Sequence, residues 1–496
     1  MGKSLGQPSR SIRMLGARDS WCLPAIGGRS SRRTARRSQQ NITISITRKK
    51  ITAQAEHSLR PSESRTLFLR LFGGMALCVT TPYAGPKARE GKGRGKEGAG
   101  LYPELAILRF SKCDSPALAS EVARSAALLP SFEITRKELE RRGRSFDIKV
   151  VHRMALRVGQ EVLTTRKRDM MRFIASELNK GTELAGKRIG IAVDGGRTRM
   201  REGIIPQKGR GKKKSKRRRW KSQWREPKNF IIFEIDEQGR MKEGSRSFID
   251  GTTLGPDALM QLLAMRLYQL GAQDAQEIVF LADGGTWIWN RIDAVLKMAG
   301  INPQKVDFVL DIYHAIQHIQ LAVEALGFQG DAGKRVFRRL RQQLYRGQNE
   351  KVTAELNTYF KTRKNIKKSV VKREINYFCK HATHMAYNRL REEGKPMGSG
   401  AIESTIRRVI NQRLKGNGLM WKAENAEAIM VMRGVVLSDR WEETLEHSRA
   451  SLATNRKIDW KWSAPDMRKE KIPDEVDHAK NTTKSFGSKG VTRKIA

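Results

Sequence analysis

The sequence predicts an α/β protein in which a mixed β-sheet forms the core, a block of helices interrupts it, and an all-α module precedes it. Three observations support this fold class. Short apolar runs typical of strands recur between residues 187 and 314, and helical periodicity dominates both residues 115–163 and residues 314–394. Hydrophobic residues make up 39% of the 496 residues, which is enough for a sizeable core.

Basic residues greatly outnumber acidic ones. The 97 Lys and Arg residues and the 51 Asp and Glu residues give a formal net charge of +46. Such a charge indicates a polyanionic partner, and nucleic acid is the simplest one. A membrane surface is less favoured because no long helix combines a basic face with an aromatic one, and the longest apolar stretch, residues 67–79, is too short to cross a bilayer. Four widely spaced cysteines form no CxxC pair, which fits a reducing cytoplasm.

The first hundred residues lack sustained periodicity, and we expect little fold in them. Residues 1–100 are basic and end in the run GPKAREGKGRGKEGAG, which is typical of a flexible linker. Their composition fits an organellar transit peptide, a disordered basic arm, or sequence upstream of the true start.

Residues 101–165 are predicted to form a helix-turn-helix module. Three helical segments are separated at Pro130 and Gly143, and the last one keeps a single apolar face. Its other side carries basic residues that could enter a DNA groove, namely Lys149, Arg153 and Arg157. An ordinary three-helix packing unit with a solvated basic face is an equally good interpretation.

The predicted sheet lies within residues 187–318, the first part of the core. Five strand-like runs follow one another: RIGIAVD, NFIIFEID, SRSFID, EIVFLAD and VDFVLDIYH. An amphipathic helix precedes the fourth run, and another lies between the last two. Three strands in succession and then strand, helix and strand predict an antiparallel meander joined to parallel strands.

The rest of the chain is predicted to be mainly helical. Residues 319–396 form a basic helical insertion, residues 397–445 provide the last helices of the core, and residues 446–496 form a basic tail. The insertion is recognised by segments such as KRVFRRLRQQLYRG, in which apolar residues recur at helical spacing.

Three acidic residues are the strongest chemical signal. Asp194 and Asp283 each end an apolar strand and are followed by two glycines, and Glu403 opens a helix after Gly398 and Gly400. If the two strands are neighbours, both aspartates emerge at one edge of the sheet, where the Glu403 helix can pack. An isolated Asp at a strand end is more often a turn former. Three acids in this arrangement instead favour a catalytic set, Asp194, Asp283 and Glu403, holding two Mg²⁺ or Mn²⁺ ions for phosphoryl transfer on nucleic acid.

Several of these stretches resemble the RNase H-like DDE transposases of bacterial insertion sequences. The resemblance is nearest to the ISKra-type group and more distant to Mutator-like elements, and it covers residues from about 100 to 442. The most specific block is MGSGAIESTIRRVINQRLKGNGLMW. The other matching stretches are VDGGRTRMREG, WREPKNFIIFEIDEQGR, DGTTLGPDAL, LADGGTWIWNRI and DIYHAIQHI.

The resemblance implies an RNase H-like core in which Asp194, Asp283 and Glu403 are the DDE triad, with the helical insertion before Glu403. Mutator-like transposases carry Cys-x-x-His after the second Asp. Here Asp311 and His314 occupy similar places, with Asp for Cys, so His314 is a candidate for orienting a phosphate or a metal ligand.

Two basic segments are predicted to contact DNA. The run KGRGKKKSKRRR between the first two strands would bind phosphates without sequence preference, through Lys208, Arg210, Lys212, Lys213, Arg217 and Arg218. After Glu403, the candidates are Arg407, Arg408, Arg413 and Lys415, with Trp421 as a possible stacking platform for a base. A solvated charge run and a core tryptophan are the simpler interpretations.

These expectations describe a transposase that binds the ends of a mobile DNA element, cuts a strand and joins the released 3′-OH to target DNA. Its partner would be double-stranded DNA, and holding two ends requires at least a homodimer. We expect it in the bacterial cytoplasm, at the nucleoid. Two other classes stay open: a catalytically inactive or regulatory DNA-binding protein derived from a transposase, and an RNase H-like nuclease.

Overall fold

The computed structural model describes residues 59–86, 100–111, 113–203, 220–416, 418–451 and 463–469. Its first element is a β-hairpin of β1 (Leu59–Arg70) and β2 (Ala76–Pro86), paired antiparallel. Gly73 and Gly74 form the turn with φ of +86° and +82°, a conformation that residues with a Cβ rarely adopt. The expectation of little fold before residue 100 is therefore wrong for this segment, because its apolar stretch flanks a two-glycine turn.

The core is a five-stranded mixed sheet. The remaining strands are β3 (Arg188–Gly195), β4 (Thr198–Gly203), β5 (Trp220–Arg225), β6 (Lys228–Glu234), β7 (Phe248–Thr252), β8 (Glu277–Ala282) and β9 (Val306–Leu310). The strand order is β7-β6-β3-β8-β9, while β4 and β5 pair separately. Strand β6 pairs antiparallel with both β3 and β7. Strand β8 pairs parallel with both β3 and β9. The predicted meander joined to parallel strands is confirmed.

Helices cover both faces of this sheet. They are α1 (Pro103–Ile107), α2 (Pro116–Leu128), α3 (Phe132–Arg141), α4 (Ile148–Ile174), α5 (Pro256–Leu270), α6 (Thr286–Trp289), α7 (Ile292–Ala299), α8 (Ile312–Ala325), α9 (Gly330–Tyr345), α10 (Asn349–Thr362), α11 (Lys368–Lys380), α12 (Tyr387–Glu392), α13 (Gly400–Ile406), α14 (Ala423–Leu437) and α15 (Trp441–Ser451). Alternate residues of β3 point to opposite faces of the sheet. Ile189 and Ile191 pack in the hydrophobic core with α5 and α7, and Ala192 packs in the core on the other face, with α4, α13 and α14. Burial on both faces explains why the strands are nearly all apolar.

The segment predicted as a separate helix-turn-helix module is part of the core. Helix α4 continues to Ile174, beyond the predicted boundary at residue 165, and both α2 and α4 pack on α14, which packs on β7. The contact is close at Gly159, where a Cβ would lie 2.9 Å from the Cβ of Ala428. Helix α4 buries its apolar face against α14, as predicted, and Lys149 and Arg153 remain exposed.

A buried ion-pair network joins these layers. The guanidinium of Arg166 on α4 donates to Asp250 on β7 at 2.9 Å and pairs with Glu427 on α14. Arg266 on α5 binds the second oxygen of Asp250 at 3.1 Å. Because unpaired buried charges are very costly, this network fixes the relative positions of the three helices.

The predicted insertion, residues 319–396, is helical and forms a bundle of α8 to α12, but α8 begins at Ile312, so the predicted boundary at residue 319 falls inside this helix. Helix α8 packs against α9 and α11, and α10 packs against α9 and α11. Part of the predicted basic tail also packs on the core, since Met467 is buried and its N–H donates to Asp257 Oδ1 at 2.9 Å. Among the helices that the structure describes, none combines the length and apolar character needed to span a bilayer.

Candidate active site

Asp194 and Asp283 lie side by side at one edge of the sheet. Val193 of β3 pairs with Ala282 of β8 in a parallel register, and the two aspartates are the next residues of their strands. Neighbouring strands are about 4.8 Å apart, so both carboxylates project from adjacent backbone positions. Asp194 is half-buried, and Asp283 is only 5% exposed.

A third aspartate, Asp311, lies at the same edge. Leu310 of β9 pairs with Ala282 of β8, and the N–H of Asp311 donates to the Ala282 carbonyl at 2.8 Å. The three parallel strands β3, β8 and β9 thus each deliver one aspartate to this edge. In the sequence, Asp311 was linked to this site only because Asp311 and His314 stand where Mutator-like transposases carry Cys-x-x-His.

The carboxylate of Asp311 is fully buried and saturated with hydrogen bonds. Its Oδ1 caps α8 by accepting the N–H groups of Tyr313 at 2.6 Å and His314 at 3.3 Å. Its Oδ2 accepts the N–H of Ser399 at 2.9 Å and also the Ser399 hydroxyl. Burial raises the pKa of Asp311, while the hydrogen bonds from these backbone groups act in the opposite direction.

The first three residues of the MGSGAIES block, 397–399, each contact a residue of the segment 311–313. Met397 accepts the N–H of Ile312 at 3.0 Å, Ser399 binds Asp311, and Gly398 lies so close to Tyr313 that a Cβ would be 2.6 Å from its ring. A side chain at position 398 would therefore displace the Tyr313 ring. These contacts set where the helix of Glu403 begins.

Helix α13 then runs across the edge of the sheet. It packs on β3 and β6, and at its far end the side chains of Ile406 and Ile410 contact Gly196, just after Asp194. A π-helical segment, Arg407–Asn411, follows directly, and such segments are frequent at functional sites. Glu403 lies in the first turn of α13 and is exposed, so its carboxylate is available to a ligand at this edge.

The structure groups Glu403 differently from the predicted triad. Among the described residues, Asp311, His314 and Glu403 bring one potential ligand atom each to within 4.8 Å of one another. Asp194 and Asp283 do not belong to that group. Ser399 anchors the start of α13 at the end of β9, beside Asp311, and β8 separates β9 from the strand that carries Asp194. His314 therefore lies close to both Glu403 and Asp311.

The donor atoms at this edge suit a hard divalent cation. Asp194, Asp283, Asp311 and Glu403 offer carboxylate oxygens, the ligands that Mg²⁺ and Mn²⁺ prefer, and His314 adds one nitrogen. Both oxygens of Asp311 already accept backbone N–H groups, whereas the carboxylate of Glu403 is exposed.

The loop after β8 is held by contacts that the sequence did not reveal. The N–H of Gly285 donates to Asp283 Oδ1 at 3.0 Å, and the indole N–H of Trp289 donates to the Asp283 carbonyl at 2.7 Å. A Cβ on Gly284 would lie 2.3 Å from the ring of Tyr377, which belongs to the helical insertion. Only glycine fits there, and no local pattern signals a contact between residues so far apart in sequence.

Of the basic residues after Glu403, Arg407 and Lys415 are exposed and Arg408 is half-buried. Arg407 stands one helical turn after Glu403, on the same side. The structure corrects two other predicted DNA contacts, Arg413 and Trp421, which are both buried.

Arg413 is 1% exposed and donates to the carbonyls of Ala126 and Pro130, both at 3.1 Å. Burial lowers the pKa of Arg413 to about 10, so it stays charged at neutral pH. Trp421 is 7% exposed and donates its indole N–H to Leu414. Arg413 ties the segment after the π-helical turn to the end of α2, and Trp421 packs against Leu414 and Phe132 of α3, so both side chains are used inside the fold.

The other predicted DNA contacts are only partly described. Lys149 and Arg153 are exposed at the start of α4, while Arg157 pairs with the buried Asp114 at 3.4 Å. The basic run lies outside the described residues, and with it Lys208, Arg210, Lys212, Lys213, Arg217 and Arg218. Its flanks form the β4–β5 hairpin, where Arg199 lies over the exposed ring of Trp224 at 5.0 Å.

Comparison with known proteins adds no family to this geometry: no protein-family model matches the chain, and no curated protein matches it.

Proposed function

We propose that this protein is a DDE transposase with an RNase H-like core, which cuts DNA at the ends of a mobile element and joins them to target DNA. The observation that carries the proposal is the register of β3 and β8, which brings Asp194 and Asp283 to adjacent positions at one sheet edge. Glu403 is delivered over the same edge by α13.

The sheet topology supports the RNase H-like assignment. Three antiparallel strands in sequence are followed by two that run parallel to the first, in the spatial order third, second, first, fourth, fifth. The first and fourth strands carry the two aspartates, and a helical insertion separates them from the glutamate. This is the arrangement that the resemblance of the sequence predicts.

The chain's own residues supply the charge and the geometry of the site. Asp194, Asp283 and Glu403 would hold two divalent ions, with Asp311 and His314 beside Glu403. When bound, such ions stabilise the attacking and the leaving oxygen of a phosphodiester. Asp311 fixes the start of α13 through Ser399, so the backbone that bears Glu403 is held before DNA arrives.

DNA binding is supported by charge and by its distribution. The formal net charge is +46, and Arg407 is exposed one turn beyond Glu403. The β4–β5 hairpin begins at Thr198, four residues after Asp194, and exposes Arg199, Arg201 and Lys221. A DNA end at the acidic residues would therefore meet cations on two sides. We propose that two copies of the chain bring two such ends together.

The test is a cleavage and joining assay on the DNA ends that flank the gene, with Mn²⁺ or Mg²⁺. We expect wild-type protein to give both cut and joined products, and Asp283→Asn to give neither. Asp293→Asn is the matched control, because Asp293 is an exposed aspartate on α7 that pairs only with Lys469 at 3.3 Å among the described residues. It should cut and join like wild type.

The same assay separates the rival classes. Cut products that are never joined would indicate a nuclease and would contradict the proposal. Tight DNA binding with no metal-dependent product, in wild type as in Asp283→Asn, would indicate a regulatory or inactive protein.

A further inference from the structure

We propose that Trp224, on the β4–β5 hairpin, stacks on an unpaired base of the DNA strand beside the cut. This inference rests on the proposed function, because it assigns a DNA contact to a residue near the acidic edge of the sheet. Of the tryptophan side chains that the structure describes, only Trp224 is exposed, to 54%. Aromatic side chains dominate the energetics of cores and interfaces, and this one lies outside the core.

Arg199 and Trp224 share one face of the hairpin. They are directly opposite each other in the β4–β5 register, and side chains at opposite positions of antiparallel strands point to the same face. The guanidinium carbon of Arg199 lies 5.0 Å from the centre of the indole ring. Arg201 and Ser222, two positions further along, form the next pair on this face and are also exposed. The face thus combines an aromatic surface with cations, as in proteins that bind single-stranded DNA.

The opposite face of β4 anchors the hairpin to the core. Met200 is buried and belongs to the main hydrophobic core. Thr198, on the same face, is also buried, and its hydroxyl donates to the Leu414 carbonyl at 2.7 Å. The exposed and the buried residues of β4 therefore alternate, and the exposed set is the one that includes Arg199.

The backbone of β4 is held on both sides. One side pairs with β5, and the other pairs with Trp421 in the segment after α13. There the N–H of Arg201 donates to the Trp421 carbonyl at 2.8 Å, and the N–H of Trp421 donates to the Arg199 carbonyl at 3.0 Å. Trp224 is thus presented by a strand pair whose position is set before DNA arrives, which reduces the entropy lost on binding.

The hairpin places the indole within reach of a DNA strand at the acidic edge. Trp224 precedes Lys228 by four residues, and Lys228 pairs with Gly195, the residue after Asp194. Four residues span at most about 14 Å. Successive phosphates of one strand of duplex DNA advance by about 3.4 Å along the axis. A base stacked on Trp224 would therefore lie within about five nucleotides of a phosphate at Asp194.

The chemistry of the face selects an unpaired nucleotide as its occupant. Stacking requires a base whose flat surface is accessible, and the bases inside an intact duplex already stack on one another. Once one strand is cut, the nucleotides beside the cut are able to leave the duplex. Arg199 and Arg201 would attract their phosphates, and the Trp224 ring would bind one base whatever its sequence, because every base has a flat aromatic face.

The test uses full-length protein without divalent ions and a DNA duplex that ends in a single-stranded overhang. The fluorescent adenine analogue 2-aminopurine is placed at one overhang position at a time, and stacking on an indole quenches its fluorescence. Trp224→Ala is compared with Trp224→Phe, which keeps a smaller aromatic face. Phe68→Ala is the matched control, because Phe68 is a 69% exposed aromatic residue on the other two-stranded hairpin, β1–β2.

Wild-type protein should quench the analogue at one or two positions within about five nucleotides of the junction between duplex and overhang. We expect Trp224→Ala to lose this quenching and to bind the overhang DNA roughly 5- to 100-fold more weakly, while its affinity for a blunt duplex stays unchanged. Trp224→Phe should keep part of both signals, and Phe68→Ala should match wild type. Unchanged quenching in Trp224→Ala would overturn the inference, and so would an equal loss of affinity for blunt and overhang DNA.

Urea unfolding separates loss of contact from loss of fold. Trp224→Ala should unfold at the same urea concentration as wild type, because the indole is exposed. The inference and the proposed function also fail separately. A wild-type protein that quenches the analogue but neither cuts nor joins DNA with Mn²⁺ would refute the transposase, and the stacking contact would stand. A protein that cuts and joins DNA, and whose Trp224→Ala variant binds the overhang as tightly as wild type, would refute the stacking contact alone.

Discussion

The carboxylate of Asp311 accepts the backbone N–H of Ser399 at 2.9 Å, and this bond joins the end of β9 to the loop that starts the Glu403 helix. Asp311 also caps α8 through Tyr313, so a single buried side chain connects the sheet edge, the first helix of the insertion and α13. The position of Glu403 therefore depends on a residue outside the predicted acidic triad.

Asp311→Asn should destabilise the protein by about 1–3 kcal/mol, because an amide has one acceptor oxygen and would turn its NH₂ toward N–H donors that the carboxylate now satisfies. Urea unfolding measures this difference. Asp236→Asn is the control, since Asp236 accepts two backbone N–H groups in an exposed turn at 2.9 Å and 2.8 Å. If both variants lose the same free energy of unfolding, burial of Asp311 does not increase the contribution of its hydrogen bonds to stability.

Arg407→Gln should weaken DNA binding, whereas Arg413→Gln should lower the stability of the fold. Arg407 is exposed beside Glu403, so its loss should weaken DNA binding while leaving the unfolding free energy unchanged, and it should reduce the salt dependence of binding by about one phosphate contact. Arg413→Gln leaves two buried carbonyls without their donor and should cost roughly 1–3 kcal/mol of stability.

Fluorescence anisotropy of a labelled DNA duplex at several salt concentrations gives the binding slopes, and urea unfolding gives the stabilities. A stable Arg413→Gln protein with reduced DNA affinity would contradict the structural role of Arg413.

Arg166→Met should be among the most destabilising substitutions, by about 3–5 kcal/mol, because it leaves Asp250 and Glu427 buried without their shared cation. Denaturant unfolding provides the measurement. Arg142→Met should change stability by less than about 1 kcal/mol, since Arg142 forms exposed pairs with Glu121 and Glu138. Adding Glu427→Gln to Arg166→Met should recover part of the loss, and an additive result would argue against a coupled network.

The pair of His447 and Asp169 should make stability depend on pH. The hydrogen bond to Asp169, 3.2 Å long, raises the pKa of His447 above its ordinary value of 6.5, while Arg266 and Arg172 oppose this. The folded protein therefore holds the His447 proton more tightly than the unfolded chain. The stabilisation is fully present below pH 6.5 and is lost as the pH rises through the raised pKa.

We expect the stability difference between wild type and His447→Gln to be larger at pH 5.5 than at pH 8.5, by less than about 1 kcal/mol because the histidine is half-exposed. Thermal and urea unfolding at both pH values test this. In an Asp169→Asn background the pH dependence should disappear, and its persistence there would assign it to another group.

The sequence alone determined most of the helices and strands and the acidic residues at their ends. Apolar runs of strand length bounded by turns predicted β3, β6, β7, β8 and β9, because burial on both faces requires continuous apolar residues. Glycines after Asp194 and Asp283 marked the two strand ends, and the helical period predicted the insertion and α13. These signals are local, so they can be recognised without knowing the fold.

Only the tertiary structure decided which side chains meet. Arginine and tryptophan are residue types that often contact DNA, yet Arg413 is buried against α2 and Trp421 against Leu414 and Phe132. Tyr377 lies 93 residues after Gly284, and Ser399 lies 88 residues after Asp311, so each contact exists only because the insertion folds back onto the sheet edge. Local pattern cannot encode such pairs, since they arise from how whole helices and strands pack together.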